Sequence, residues 1–301
     1  MKLINFMGMR RIAYIISIIL AVVSIGSLAV KHLNLGLDFT GGTEVEIKYE
    51  SAPNLDDVRQ DLSDAGYKNV SVQTFGDQSD LMVRLQNNFT KNLGTKLVDQ
   101  LSAHGEHPQL VRSDYVGAQV GDQLRDQGGL GLLLAVGGII IYLAIRFQFK
   151  FAVGAVVALL HDVLIVLGIF SLFGLEFNLT VMSAILAVLG YSLNDTIVVY
   201  DRIRENIQKS RSHDIERLCN DAINQTLART IATSGTTVMV LVALLLMGGS
   251  MLHNFAIALL LGIILGTFSS IYVAAALLLL LKLKRSDLIS ARKQALNDGM
   301  P

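Results

Sequence analysis

Residues 151 to 173 read Phe151-Ala-Val-Gly-Ala-Val-Val-Ala-Leu-Leu-His-Asp-Val-Leu-Ile-Val-Leu-Gly-Ile-Phe-Ser-Leu-Phe173, an apolar run broken only by His161 and Asp162. A helix needs about 20 such residues to cross the hydrocarbon core of a bilayer, so the stretch predicts a membrane helix with two ionisable groups at mid-depth. Working outward, five more segments come close to that length, at roughly 12–30, 129–145, 179–200, 231–249 and 255–281. The whole chain of 301 residues agrees: 52% hydrophobic residues, 17% charged and a mean hydropathy of +0.51 exclude a purely soluble protein. One Cys excludes a disulfide scaffold and a cysteine-ligated zinc site built from this chain alone. No basic patch with interleaved aromatics occurs, so no nucleic-acid partner is expected.

The formal charge is zero, but residues 31–127 carry nine Lys/Arg against fifteen Asp/Glu, while the remainder carries sixteen against ten. Positive charge marks the cytoplasmic ends of membrane helices. Lys2, Arg10 and Arg11 precede the first span, and Arg146 and Lys150 link the second to the third. Arg202, Arg204, Lys209, Arg211, Arg217 and Arg229 link the fourth to the fifth, and Lys282, Lys284, Arg285, Arg292 and Lys293 follow the sixth. The short links at 174–178 and 248–254 have neither Lys nor Arg. Both termini are therefore expected inside and residues 31–127 outside. Ser27-Leu28-Ala29 resembles a signal-peptide cleavage site, but the apolar run before it exceeds the usual 7 to 15 or so residues of a signal core, so an uncleaved anchor is expected.

The expected domains are an N-terminus and first span (1–30), an outer domain (31–127), spans two to six (128–281) and a cytoplasmic tail (282–301). Within the outer block, Val45, Ile47 and Tyr49 alternate with charged residues, which predicts a half-buried strand over 42–50. Asn54 caps a helix with Leu55, Val58 and Leu62 on one face and Gly66 as its stop. Strands are predicted at 69–75 and 80–86, a helix at 91–104 and a last strand at 109–116. The order βαββαβ reads as a ferredoxin-like α+β sandwich with a four-stranded antiparallel sheet.

An ionisable group inside a span costs at least roughly 2.5–3.5 kcal/mol, so His161, Asp162 and Asp195 each need a reason. Arg229, near the start of span five, falls in the same half of the bilayer as Asp195. The pair reads either as a proton switch, in which movement of Arg229 sets the charge of Asp195, or as a fixed bridge between two helices. His161 and Asp162 point about 100° apart, so they cannot face the same partner, and one can orient its neighbour. Thr230, Thr233, Ser234, Thr236 and Thr237 line a water path or bond their own helix carbonyls. In span six, Ala258, Gly262, Gly266, Ser270 and Ala274 recur every four residues, a stripe for close packing against a span of this chain or of another subunit. Gly36-Leu-Asp38-Phe39-Thr-Gly41-Gly42 lies between a span and a strand, the wrong context for a phosphate cradle, and no GxxxxGK[ST] occurs, so the chain does not use ATP. That loop reads as a turn at the membrane surface that needs glycine dihedrals, or as a substrate contact.

These motifs, with Gly190-Tyr-Ser-Leu-Asn-Asp-Thr196, Asp201-Arg-Ile-Arg-Glu-Asn206, Gln225-Thr-Leu-Ala-Arg-Thr230, Thr233-Ser-Gly-Thr-Thr237 and Gly266-Thr-Phe-Ser-Ser-Ile-Tyr272, resemble the SecD/SecF family of protein-export membrane subunits, within the RND superfamily, and there its SecF members. The likeness runs from span one to the tail. It implies a bacterial inner-membrane protein that pairs with SecD, associates with the SecYEG channel and often YajC, and uses the proton-motive force to draw unfolded preproteins outward, with protons as coupling ion and no other cofactor. It implies that Asp195 and Arg229 form the proton path, with His161, Asp162, Thr233 and Ser234 as lesser candidates, and that no residue is catalytic and none binds metal. A proton-driven small-molecule exporter shares the architecture, but such exporters carry larger outer domains. An intramembrane protease would need a GxGD motif, which is missing, or would need Ser192 and His161 to meet as a dyad.

Overall fold

The computed structural model describes residues 4–67, 70–75, 77–85, 92–102, 108–210, 212, 214–285 and 287–288. Lys2, Arg211, Arg292 and Lys293 of the charge pattern lie outside these residues, as do residue 69 of the predicted strand 69–75, residue 86 of the strand 80–86, and residues 91, 103 and 104 of the helix 91–104.

The chain is mostly helical, with one small sheet region. Six helices among the described residues are long and apolar enough to cross a membrane. They are α1 (Arg10–Val30), α5 (Ala118–Arg146), α6 (Phe149–Phe173), α7 (Leu179–Lys209), α8 (Ile215–Met247) and the pair α9 (Gly249–Ser269) and α10 (Ala275–Leu280), which a π turn, Ser270–Ala274, joins into one span. Helix α5 begins well before the apolar run at 129. The sides of α1, α5 and α8 are largely bare Ile, Leu, Val and Met, as lipid-facing helices must be, whereas α6, α7 and α9 are about half buried in one another. Where α1 touches α6 its buried residues are all small, Ala13, Ser17, Ser24 and Ser27. A side chain on Gly168 would collide with Ser24, and the Ser27 and Ser171 hydroxyls bond at 2.9 Å.

Between α1 and α5 the chain forms β1 (Asn34–Leu35), a single turn α2 (Leu37–Thr40), β2 (Gly42–Lys48), α3 (Leu55–Asp64), β3 (Ser71–Phe75), β4 (Asp77–Leu85), α4 (Leu93–Leu101) and β5 (Gln109–Val116). Strands β2 to β5 make one antiparallel sheet in the order β3-β4-β2-β5. Period-two patterning sends Val45, Ile47, Leu81, Val83 and Leu85 to one face, where Val58 and Leu62 of α3 and Leu97 and Leu101 of α4 cover them. Asn54 caps α3 by accepting the Asp56 N–H at 3.1 Å. The other sheet face, with Glu44, Glu46, Met82 and Asp114, looks across a cavity of 960 Å³ toward the ends of α6, α7 and α9.

The cytoplasm-type charges pair locally. Arg146 Nη2 donates to both Asp201 oxygens at 2.8 and 3.0 Å, Lys150 meets Asp287 at 2.7 Å, and Arg10 meets Glu216.

Candidate functional site

Helices α6, α7 and α9 bring a polar cluster together in the apolar interior. Asp162 on α6 is fully buried. Its Oδ2 accepts one hydrogen bond from Ser192 Oγ of α7 and another from Ser269 Oγ of α9, both at 2.6 Å, the length of a hydroxyl donating to a carboxylate. Its Oδ1 lies 3.0 Å from His161 Nδ1. Three helices are thus held by one carboxylate. The pair of neighbours is resolved: His161 supports Asp162, and Asp162 alone reaches across to other helices. His161 Nε2 is buried without a partner among the described residues. Ser192 gives its proton to Asp162 rather than to His161, so the two do not form a nucleophile–base dyad.

Asp195 lies one turn along α7 from Ser192, at i, i+3, and is 3% exposed. Unlike Asp162 it is only partly satisfied: its Oδ2 is buried with no hydrogen-bond partner among the described residues. The Ser234 hydroxyl of α8 is close enough to hydrogen-bond the carboxyl, and the Arg229 guanidinium of the same helix acts on it only through its charge. Ser234 is engaged with Thr267 Oγ1 of α9 at 2.9 Å. Asp195 and Arg229 make no ion pair, so the fixed bridge is not what this structure contains. The reason is helical phase. Thr230 and Ser234 share the inward face of α8, while Arg229, one position before Thr230, is turned about 100° away and is exposed.

The hydroxyls of α8 divide. Thr233 bonds the Arg229 and Thr230 carbonyls at 3.1 and 3.0 Å, and Thr236 and Thr237 likewise return to their own helix. Ser234 crosses to the next helix instead.

The small-residue stripe of the last span packs on α7 over most of its length. A Cβ on Gly262 would lie 2.1 Å from Val188 Cγ2, and one on Gly266 would lie 3.0 Å from Ser192 Cβ, while Ala258 is buried beside Val181, Ala184 and Ile185. Close approach at Gly266 is what brings Ser269 within reach of Asp162. The π turn then shifts the helix register, and Ser270 and Ala274 are buried on that turn. The Tyr200 hydroxyl donates to the Ala274 carbonyl at 3.0 Å.

A second cluster sits where the sheet unit meets the membrane helices. Strand β1 pairs in parallel with β6 (Glu176–Phe177), in the link between α6 and α7, matching Asn34 to Glu176 and Leu35 to Phe177. Asp38 Oδ2 accepts the Leu179 N–H at 2.9 Å, so a residue of the glycine-rich loop caps α7. Phe39 stacks on Phe177 with centroids 6.0 Å apart. Gly41 and Gly42 have φ of 65° and 118°, which glycine alone adopts readily. Gly36 is needed for a different reason, since a Cβ there would meet Glu176 Oε1 at 2.5 Å and Asn178 Cβ at 2.8 Å. Over this joint Arg84 reaches down from β4, with Nη2 2.9 Å from Glu44 Oε2 and 2.9 Å from Glu176 Oε1, and Nη1 donating to the Leu35 carbonyl at 2.9 Å. Sequence reasoning passed over Arg84 and Glu176, and it met Ser269 only as one letter of the Gly266–Tyr272 motif, without a role. The signal for Glu176 was a carboxylate in a link otherwise free of charge.

Two family models match the chain: the SecD/SecF GG motif over residues 26–53, which spans the joint, and the C-terminal region of the protein export membrane protein SecD/SecF over residues 96–284, which spans the buried carboxylates. The chain belongs to the SecD/SecF family. Its SecF-type relatives include the protein translocase subunit SecF of Pseudomonas aeruginosa, 48% identical over 300 residues covering 99% of this chain and 98% of that one. The SecF of Vibrio alginolyticus is 45% identical, covering 96% of this chain and 93% of that one, and that of Escherichia coli O157:H7 is 40% identical, covering 97% and 92%. Among solved structures, SecDF of Thermus thermophilus, described as a translocon-associated membrane protein, superposes with a TM-score of 0.85 at 38% identity over 93% of this chain and 38% of that chain. A SecDF structure in a super-membrane-facing form gives 0.68 at 36% identity, over 98% of this chain and 40% of that one. This SecF-type chain thus spans about two fifths of the SecDF chains, and it is a multi-pass membrane subunit of protein export.

Proposed function

We propose that the chain works beside SecD, at the SecYEG channel and with YajC, and uses the proton-motive force to promote late steps of preprotein translocation across the bacterial inner membrane. In this reading both termini are cytoplasmic, and residues 31–127 form a periplasmic, ferredoxin-like domain, which the βαββαβ order and the strand order β3-β4-β2-β5 support. The observation that carries the proton-coupled reading is the contrast between two buried carboxylates on neighbouring helices. Asp162 accepts from two fixed serine hydroxyls, has His161 against its other oxygen and acts as an anchor for α6, α7 and α9. Asp195 has an oxygen with no donor and a guanidinium near but not bound.

A carboxylate left in that state exchanges a proton with the least rearrangement, because protonation breaks no hydrogen bond at its open oxygen. Arg229 swinging toward Asp195 favours the charged form, and swinging away favours the neutral one. Ser234, bonded to Thr267, offers a hydroxyl beside the same carboxylate. One proton crossing 100 mV supplies about 2.3 kcal/mol, enough to bias a helix shift modestly per step.

The test is pulse-chase export of a secreted precursor in cells depleted of this protein and rescued with wild type or Asp195→Asn at equal membrane levels. The variant is expected to assemble and to fail in export. Full rescue by Asp195→Asn would sink the proton-carrier role and leave a purely structural one.

A further inference from the structure

The joint between sheet unit and membrane helices holds more acid than base. Glu44 and Glu176 share one guanidinium, that of Arg84, Asp38 adds a third negative charge close enough to act on Glu176, and the side chains of Glu44, Glu176 and Arg84 are only 13%, 10% and 15% exposed. With all three carboxylates ionised the group would carry two uncompensated negative charges in a poorly hydrated crevice. Strand β1 offers Asn34, β4 offers Arg84, β2 offers Glu44 and α2 offers Asp38. From the start of α9, the Asn254 side chain donates to the Glu176 carbonyl at 3.3 Å, and its neighbour His253 lines the same 960 Å³ cavity. Across that cavity Arg112 is paired with Asp114 at 2.5 Å and is not available to neutralise Glu176.

We propose that Glu176 is a proton-binding site at the outer end of the α6–α7 hairpin, and that a proton there keeps the βαββαβ unit docked on the membrane helices, so that undocking and proton release occur together. This deepens the reading above and rests on it for the side of the membrane from which the proton comes. The cavity gives water, and hence protons, a route to the joint. The attachment is divided suitably for such a movement. The β1–β6 pair, the Asp38 cap and the glycine turn form a tether that belongs to the chain's entry into the unit, whereas Arg84 is the contact made by the sheet itself.

The direction of the linkage is fixed by the environment of the carboxyl. Burial, chiefly, and then the nearby Glu44 and Asp38 push Glu176 up while Arg84 pulls it back, and the net result is a rise from the ordinary 4.5 to about 7. Undocking would hydrate Glu176 and return it toward 4.5. A site that binds a proton more tightly docked than undocked favours docking as pH falls, and the docked-to-undocked ratio can change by up to about 300-fold between the two limits. This is the opposite of what a simple salt-bridge latch would do, since protonation would break such a latch.

The experiment is a distance measurement by electron paramagnetic resonance on the full chain, copurified with its SecD partner in lipid nanodiscs. Spin labels are placed at Ser63→Cys, exposed at the end of α3, and Met247→Cys, exposed at the end of α8. From about pH 8.5 to about pH 4.5 the docked population should rise, with nearly all of the change falling below about pH 7. Glu176→Gln, a neutral isostere, should be docked across the whole range. Glu44→Gln, which removes one neighbouring carboxylate, should retain the transition with its midpoint moved to lower pH. The transition should persist in Asp195→Asn, which separates this site from the one in the membrane helices. A pH-independent distance in wild type, a docked population that falls on acidification, a transition unchanged in Glu176→Gln, or one abolished by His253→Gln or Asp195→Asn would each overturn the proposal.

Discussion

Ser269 donates a 2.6 Å hydrogen bond to Asp162 from a helix 107 residues further along the chain, and Ser192 donates a second of equal length to the same oxygen. Removing either hydroxyl leaves a fully buried carboxylate short of one donor. Hydrogen bonds between membrane helices average about 0.6 kcal/mol with a maximum of about 1.7, and those to charged groups fall at the upper end, so Ser192→Ala and Ser269→Ala are each expected to cost about 1 kcal/mol. The double variant should cost more than the sum, since the remaining donor cannot compensate. Unfolding of the purified protein under steric trapping checks this. Ser192→Ala should keep export within about twofold of wild type if that residue is no nucleophile.

Gly262 and Val188 occupy the same space in the α7–α9 contact. A methyl at residue 262 would stand 2.1 Å from Val188 Cγ2, and valine's stiff χ1 leaves that group no easy retreat. Gly262→Ala is expected to destabilise by about 1–3 kcal/mol. Val188→Ala should restore most of the loss when combined with it, and a double-mutant cycle on thermal unfolding reads the coupling directly.

Gly41 and Gly66 separate backbone strain from crowding. Both have positive φ, 65° and 90°, but a Cβ at Gly41 would meet the Ala118 backbone at 2.8 Å, whereas nothing lies within 4 Å of one at Gly66. Gly66→Ala should cost about 1 kcal/mol from strain alone, and Gly41→Ala about 2–3 kcal/mol because the backbone of α5 cannot yield. Protease sensitivity of the sheet unit in intact membranes orders the two.

Glu176 also predicts how stability follows pH. Its folded value near 7 stands above the ordinary 4.5, so the folded state holds this proton more tightly than the unfolded chain. The contribution is fully present below about pH 4.5 and is lost as pH rises to about 7, the reverse of a carboxylate lowered by a salt bridge. Thermal unfolding from about pH 4.5 to about pH 8 should show this fall in wild type and a flatter profile in Glu176→Gln.

Much of the architecture was legible because its causes are local. The length of an apolar run defines a span, and alternation at Val45, Ile47 and Tyr49 defines a strand. A cap at Asn54 starts a helix, and the last strand was bounded at 109–116 as observed. Asp162 and Asp195 declared themselves for the same reason, since a carboxylate within an apolar run is conspicuous at any rotation. The need for glycine at residues 41 and 42 could be read from the turn, but the need at Gly36 could not, since Glu176 and Asn178 create it from across the joint.

The sequence by itself determined which segments enter the bilayer and which form the βαββαβ unit, and that two carboxylates lie at depth. Only the tertiary structure decided that Asp162 is saturated and Asp195 is not, that Arg229 faces away, and that Arg84 meets Glu176. These depend on the rotation of each helix about its axis and on where the sheet unit settles. Helices apolar on nearly every side leave that rotation open in the sequence, and the close fit of Gly262 on Val188 and Gly168 on Ser24 sets it.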